Sequence, residues 1–236
     1  MSWIVIDLET SDAPVEAIEA AMTAWKPPGN CTKPETIEAK RQEAAIRYQE
    51  QAALLDASPI ICMSAITSTG QHLIFNQFPI TQPIDGWDRI PAASEQVMLL
   101  GIRHWLNSWA DDTTIAGHNI RYFDLPKLRQ AYIRHRLRLP EILRPRLDDD
   151  PPLQTVDTMH LIRAFSMELR DERYISLNQV AYVLGIDRPK KLLNGASVPA
   201  LYREGYYQEI LTYSCIDVAT TARAFALMTG QAPDLS

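Results

Sequence analysis

Trp3-Ile4-Val5-Ile6-Asp7-Leu8-Glu9-Thr10 opens the chain with an apolar run that ends in two carboxylates one residue apart. Residues 3–8 read as a buried strand with an acidic exit, because a short apolar run bounded by polar residues suits a covered strand. Side chains alternate along a strand, so Asp7 and Glu9 share a face. Two carboxylates at a sheet repel each other and are costly to bury unless a cation joins them. A hard divalent ion with oxygen ligands would do so. The bland alternative is an exposed strand end running into a loop, and the Asp-x-Glu by itself does not separate the two.

Working outward, residues 12–34 hold Pro14, Pro27, Pro28, Gly29 and Pro34 and read as loop with a short helix over 14–24. Residues 35–55 lack Pro and place Ile37, Ala44, Ala45, Tyr48, Ala52 and Leu55 at helical spacing, as in a surface helix. Residues 60–67 and 71–78 flank Thr69-Gly70 as a β-hairpin. The pattern then predicts a helix over 94–109 capped by Ser94, a strand at 113–117, a helix over 123–138, loop at 139–152, a strand at 153–157 and a helix over 158–170. Ser176 starts a helix that Gly185 ends, and 207–229 form the last long helix. Three strands, then alternating helices and strands, imply an α/β fold, a mixed sheet with helices on its faces. The chain reads as one domain over 1–236, with 12–56 as a partly helical insertion. That segment could clamp a substrate, contact a second copy or cover a sheet edge, and edge cover is favoured.

The bulk properties agree with a globular protein. The 236 residues are 46% hydrophobic and 22% charged, enough for a large core and too apolar for a disordered chain. No apolar run is long enough for a transmembrane helix, and the N-terminus lacks a signal-peptide pattern. Cys31, Cys62 and Cys215 form neither a disulfide framework nor a zinc knuckle, so a cytoplasmic location without membrane association is expected. The net charge of −6 argues at first against a nucleic-acid partner. The charge is uneven, however: Arg121 to Arg146 holds eight basic residues and two acids. Arginines from Arg129 to Arg146 either track a phosphate backbone or form a solvated face paired with acids elsewhere.

Two more motifs follow the first. Gly117-His118-Asn119-Ile120-Arg121-Tyr122-Phe123-Asp124-Leu125-Pro126 runs from a strand into a helix. Tyr213-Ser214-Cys215-Ile216-Asp217 places a phenol and a carboxylate one helical turn apart. Singly, Asp124 is an N-terminal cap and Tyr213–Asp217 a surface pair. The ordered set, Asp-x-Glu, Asp, Tyr-x-x-x-Asp, resembles the tyrosine-bearing (DEDDy) branch of the DEDD exonuclease superfamily. The middle motif is similar to that of the proofreading exonuclease domain of family B DNA polymerases. Ser176-Leu177, Gly195-Ala196-Ser197 and Leu201-Tyr202 resemble a stand-alone relative of that domain. Thr212 stands where the sister branch carries His.

The resemblance implies a ribonuclease H-like sheet flanked by helices and a metal-dependent 3′–5′ exonuclease acting on single-stranded DNA by a two-metal mechanism. It implies that Asp7, Glu9, Asp124 and Asp217 hold two Mg²⁺ ions, with Mn²⁺ as a substitute. Tyr213 would orient the attacking water. Thr10, Asn119, Arg121, Tyr122 and Phe123 are candidates for holding the 3′-terminal nucleotides by phosphate contact and stacking. Three alternatives stay open at this point: a 3′–5′ exoribonuclease, a catalytically silent nucleic-acid-binding module, and an endonuclease of the same fold. Protein partners and pathway are not legible in the sequence.

Overall fold

The computed structural model describes residues 2–144, 155–187 and 194–231. Six strands, β1 (Trp3–Thr10), β2 (Ile60–Thr67), β3 (His72–Asn76), β4 (Asp88–Pro91), β5 (Thr114–Gly117) and β6 (Thr155–Asp157), form one sheet in the order β4-β3-β2-β1-β5-β6. The β1/β2 and β2/β3 pairs are antiparallel, and the β3/β4, β1/β5 and β5/β6 pairs are parallel. The helices are α1 (Val15–Ala24), α2 (Pro34–Glu50), α3 (Glu95–Leu106), α4 (Asp124–Arg134), α5 (Thr158–Leu161), α6 (Leu177–Val183), α7 (Val198–Glu204) and α8 (Tyr207–Thr229). The mixed α/β architecture expected from the sequence is the one observed. Among the described residues no helix is long and apolar enough to cross a membrane.

The period-2 alternation of β1 sets the layers. Ile4, Ile6 and Leu8 join a core with Met98, Leu99 and Ile102 of α3 and Leu125, Leu128 and Tyr132 of α4. Trp3 and Val5 face the other way, against Val218, Ala222 and Phe225 of α8. Burying each such side chain contributes about 1.5–3 kcal/mol. Asp7 and Glu9 continue the Trp3–Val5 row, so the strand delivers them to the α8 side of the sheet. The β1/β2 register shifts between Glu9 and Thr10, which turns the chain out of the sheet just past the second carboxylate.

Several boundaries differ from the sequence expectation. The helix expected over 123–138 stops at Arg134, because Arg136 adopts φ 54° and Leu137 N–H bonds back to Tyr132 O at 2.8 Å, closing a Schellman-type end. The helix expected over 158–170 ends at Leu161, passing into a 3₁₀ turn over Ile162–Ala164. There the Arg163 guanidinium donates to Glu172 O and Arg173 O, folding the following chain back. The short strand β4 and the helix α7 arise where no element was expected. Residues 145–154, including Arg146 and most of the expected 139–152 loop, lie outside the described residues.

The edge-cover reading of 12–56 gives way to another. The sheet edges are β4 and β6. Helices α1 and α2 pack on each other, α2 buries only Ala44, and the chain after α2 lines a cavity at the end of β1.

The arginine-rich stretch is largely engaged within the protein. Arg134 donates to Glu95 at 2.6 Å and to Asp56 O at 2.7 Å, and Arg129 Nε donates to Leu143 O at 2.9 Å. Arg144 pairs with Glu141 at 2.8 Å. The Glu95 carboxylate is buried, and it also accepts Ile60 N–H at 2.8 Å and bonds His135 at 2.7 Å. This network joins α3, β2 and α4, so Arg134 follows the reading that pairs these arginines with acids elsewhere, and its charge answers a buried one.

Candidate active site

A cavity of about 790 Å³ opens at the end of β1, within the range of roughly 300–1,000 Å³ found for small-molecule sites. Asp7 and Glu9 from β1, Asp124 from α4, and Tyr213 and Asp217 from α8 all line it. Glu9, Asp124 and Asp217 are buried. Residues more than a hundred positions apart in sequence meet here because β1 lies between β2 and β5, while α8 crosses the same sheet face.

Asp7 pairs with Ser64 in the β1/β2 ladder. Ser64 and Ser214 share a hydrogen bond of 2.8 Å, and Ser214 donates to Asp7 Oδ2 at 3.4 Å. The small hydroxyls let α8 approach β2 closely beneath the acids. One turn along, Tyr213 and Asp217 face the cavity from the same side of α8. The backbone at Gly195 approaches the Tyr213 hydroxyl, which a Cβ at that position would meet at 3.7 Å.

Asp124 is held by its position rather than by a charge partner. Its Oδ1 accepts Leu8 N–H at 2.9 Å, on the stretch of β1 beyond its pairing with β5, which spans Trp3–Val5. Its carboxyl is raised to about 7, chiefly by burial; the Leu8 bond and its own backbone N–H oppose the rise, and the neighbouring Asp157 charge adds to it. A cation in the cavity would favour the ionised form.

The turn that presents Asp124 is tightly specified. A Cβ at Gly117 would lie 2.8 Å from Ile120 Cβ and 3.0 Å from Ile6 O, so no larger residue fits without movement. Asn119 takes φ 60°. His118 bridges Thr158 Oγ1 at 3.0 Å and Ile175 O at 2.9 Å; a carbonyl only accepts, so Nε2 carries a proton. Asp157 accepts Asn119 N–H at 2.9 Å and Arg121 N–H at 3.3 Å while capping α5 through Met159 N–H at 3.0 Å. Sequence reasoning passed over Asp157; its place before a helix at 158 was the one signal available.

Of the substrate-binding candidates, Thr10, Asn119 and Phe123 line the cavity. Arg121 and Tyr122 are not on its lining: Arg121 donates to Thr155 O at 3.1 Å, and Tyr122 lies against the His160 ring at 5.5 Å. The wall also includes Asp12, Gln49–Gln51, Ala53 and Leu54 from the chain between β1 and β2, and Tyr174, Asn178, Pro199, Ala200 and Arg203 from the stretch that carries α6 and α7. Those contributions were not legible as site residues.

The donor set is four carboxylates, suited to a hard divalent cation held by oxygen. Among the described residues, no three His, Cys, Asp or Glu side chains are already drawn to a common point. The acids surround a shared space, and a cation there would offset the cost of burying the Asp124 carboxyl.

A family model described as the RNase_H superfamily matches residues 86–229, a span that includes Asp124, Tyr213 and Asp217 and begins after Asp7 and Glu9. No curated protein matches the chain. Among solved structures, the family B DNA polymerase from the hyperthermophilic archaeon Pyrobaculum calidifontis superimposes over 96% of this chain with a TM-score of 0.56 and 14% identity. The chain spans 24% of that polymerase's length, and at this identity the likeness is one of fold.

Proposed function

The chain belongs to the RNase H superfamily, and from that premise we propose that it is a metal-dependent 3′–5′ exonuclease of the tyrosine-bearing DEDD branch, acting on single-stranded DNA. The whole of 1–236 is read as one nuclease unit in which 12–56 is an insertion beside the site. The observation that carries the proposal is the meeting of Asp7, Glu9, Asp124, Tyr213 and Asp217 in one cavity, from three elements, in the order the motif demands.

Asp7, Glu9, Asp124 and Asp217 would hold two divalent ions, Mg²⁺ or Mn²⁺, which when bound make water a nucleophile near neutral pH and offset charge on the leaving 3′ oxygen. Tyr213 presents its hydroxyl at the cavity wall. A phenol with a pKa near ~10 is a poor base at neutral pH, so its part is to orient the attacking water by hydrogen bonding. Gly195 keeps that hydroxyl accessible by adding no side chain over it. Ser64 and Ser214 fix the α8–β2 spacing and so the distance between the Asp7 and Asp217 banks. Asn119 and Phe123 flank the space for a terminal nucleotide. Single strands are held by phosphate contact and base stacking, and Tyr174 adds an exposed ring at the rim.

Digestion of DNA and RNA oligonucleotides labelled at either end, with Mg²⁺ supplied, tests the reading. The expected result is stepwise loss from the 3′ end of DNA, abolished in Asp7→Asn and Asp217→Asn and slowed at least tenfold in Tyr213→Phe. Equal activity of Asp217→Asn and wild type would sink the site. Preferential loss from RNA would move the substrate to the ribonuclease alternative, and cutting of a closed circle would make the protein an endonuclease.

A further inference from the structure

The cavity lining carries six carboxylates, the four above with Asp12 and Glu50, against one guanidinium or ammonium among the described residues, that of Arg203. Two divalent ions would neutralise the four central acids. A polyanionic strand then meets Asp12, Glu50 and Arg203 at the rim, and only Arg203 attracts it.

Arg203 and Asp12, both on the cavity lining, form an ion pair at its solvent-open rim. Asp12 stands just past the end of β1, its backbone fixed on either side by Ser11 N–H to Pro59 O at 3.0 Å and Ala13 N–H to Ala52 O at 3.2 Å. Arg203 projects from α7 on the same face as the lining residues Pro199 and Ala200. The Arg203 and Asp12 side chains keep 62% and 34% of their exposure, and an ion pair this open to water adds little to stability. Nor does α7 need it as a strut, since Val198, Leu201 and Tyr202 already pack against the Phe78 and Ile210 cluster. A guanidinium fork matches a phosphate at least as well as a carboxylate, and the exchange loses only a weak contact.

We propose that Arg203 takes a backbone phosphate of the substrate upstream of the bond to be cut, and that Asp12 holds it at the cavity rim until that phosphate displaces it. The pair is thus a substrate-operated latch, and its assignment rests on the nuclease reading above.

The test is binding of a 5′-fluorescein-labelled oligothymidylate by the full chain, followed by anisotropy with Ca²⁺ in place of Mg²⁺ to slow turnover. Arg203→Ala should raise Kd about tenfold and flatten the log–log salt dependence by about 0.7, one phosphate contact on a single strand. Arg203→Lys should fall between that variant and wild type. Asp12→Asn should lower Kd about threefold, because it removes the competitor and keeps the arginine. The opposite signs are the signature. If Arg203→Ala and Asp12→Asn weaken binding together, or neither moves it, the latch is overturned while a wild type that digests the strand keeps the nuclease reading. A wild type that neither binds nor digests the strand removes both.

Discussion

Three backbone N–H groups end on the Asp157 carboxylate, and two of them belong to the turn that carries the candidate site into α4. Hydrogen bonds to a charged acceptor contribute about 1.5–3 kcal/mol each, and the loss of a helix cap costs about 1 kcal/mol. Asp157→Ala is therefore expected to destabilise the protein by roughly 2–4 kcal/mol, allowing for water replacing part of the loss. The measurement is the urea midpoint at unchanged slope. A shift under about 0.5 kcal/mol would show that the turn holds itself. Asp157 also marks the limit of what the residues alone disclose. Asp7 and Glu9 were legible because strand alternation puts them on one face, and Tyr213 and Asp217 because a helical turn does the same. Asp157 acts on a partner 38 residues away, and Arg203 on one 191 away, and no local period encodes either pairing.

At the level of elements, the readable pieces were those whose signals are local. The hairpin turns at Gly70 with φ 78°, Ser94 accepts Val97 N–H at the start of α3, and Ser176 with Gln179 closes a capping box on α6. Strand β4 had no such signal: Asp88-Arg89-Ile90-Pro91 is a polar, mostly exposed edge, formed only because β3 offers a ladder. The segment after α2 was equally opaque, because what fixes it lies far along the chain. Lys127 of α4 is buried and donates to Leu55 O and Ser58 Oγ, while Thr10 Oγ1 donates to Ala53 O at 3.0 Å. Burial lowers the Lys127 amine to about 8, and the neutral amine keeps donors enough for both partners. In the unfolded chain Lys127 holds its proton up to its ordinary value of 10.5. Between about pH 8 and 10.5 the unfolded state thus binds the extra proton, and stability contributed at this position rises with pH. The stability of wild type relative to Lys127→Met should accordingly grow from pH 7 to pH 9.5 in paired urea titrations. A constant difference would mean that the amine stays charged in the folded protein.

For the molecule as a whole, the net charge of −6 has a location. Arg121, Arg129 and Arg134 bond inside the fold, whereas six carboxylates border one cavity and three of them, Glu9, Asp124 and Asp217, are buried. Carboxylates brought that near raise the free energy of the folded state relative to an unfolded chain that separates them. If the cavity is the proposed site, stability is given up there for function, and a ligand of opposite charge restores it. Excess Mg²⁺ should therefore raise Tm, since a ligand at a hundred times its Kd adds about 2.7 kcal/mol per site. For a chain of this size that amounts to roughly 5–10 °C. Under the proposed function, Asp217→Asn removes one of the repelling charges and one of the proposed metal ligands together. Its rise in Tm from chelator to excess Mg²⁺ should therefore be smaller than that of wild type. The reduced gain separates a metal site from a merely structural acid: a carboxylate that only supports the fold would leave Asp217→Asn with the same Mg²⁺ gain as wild type, whatever its stability in chelator.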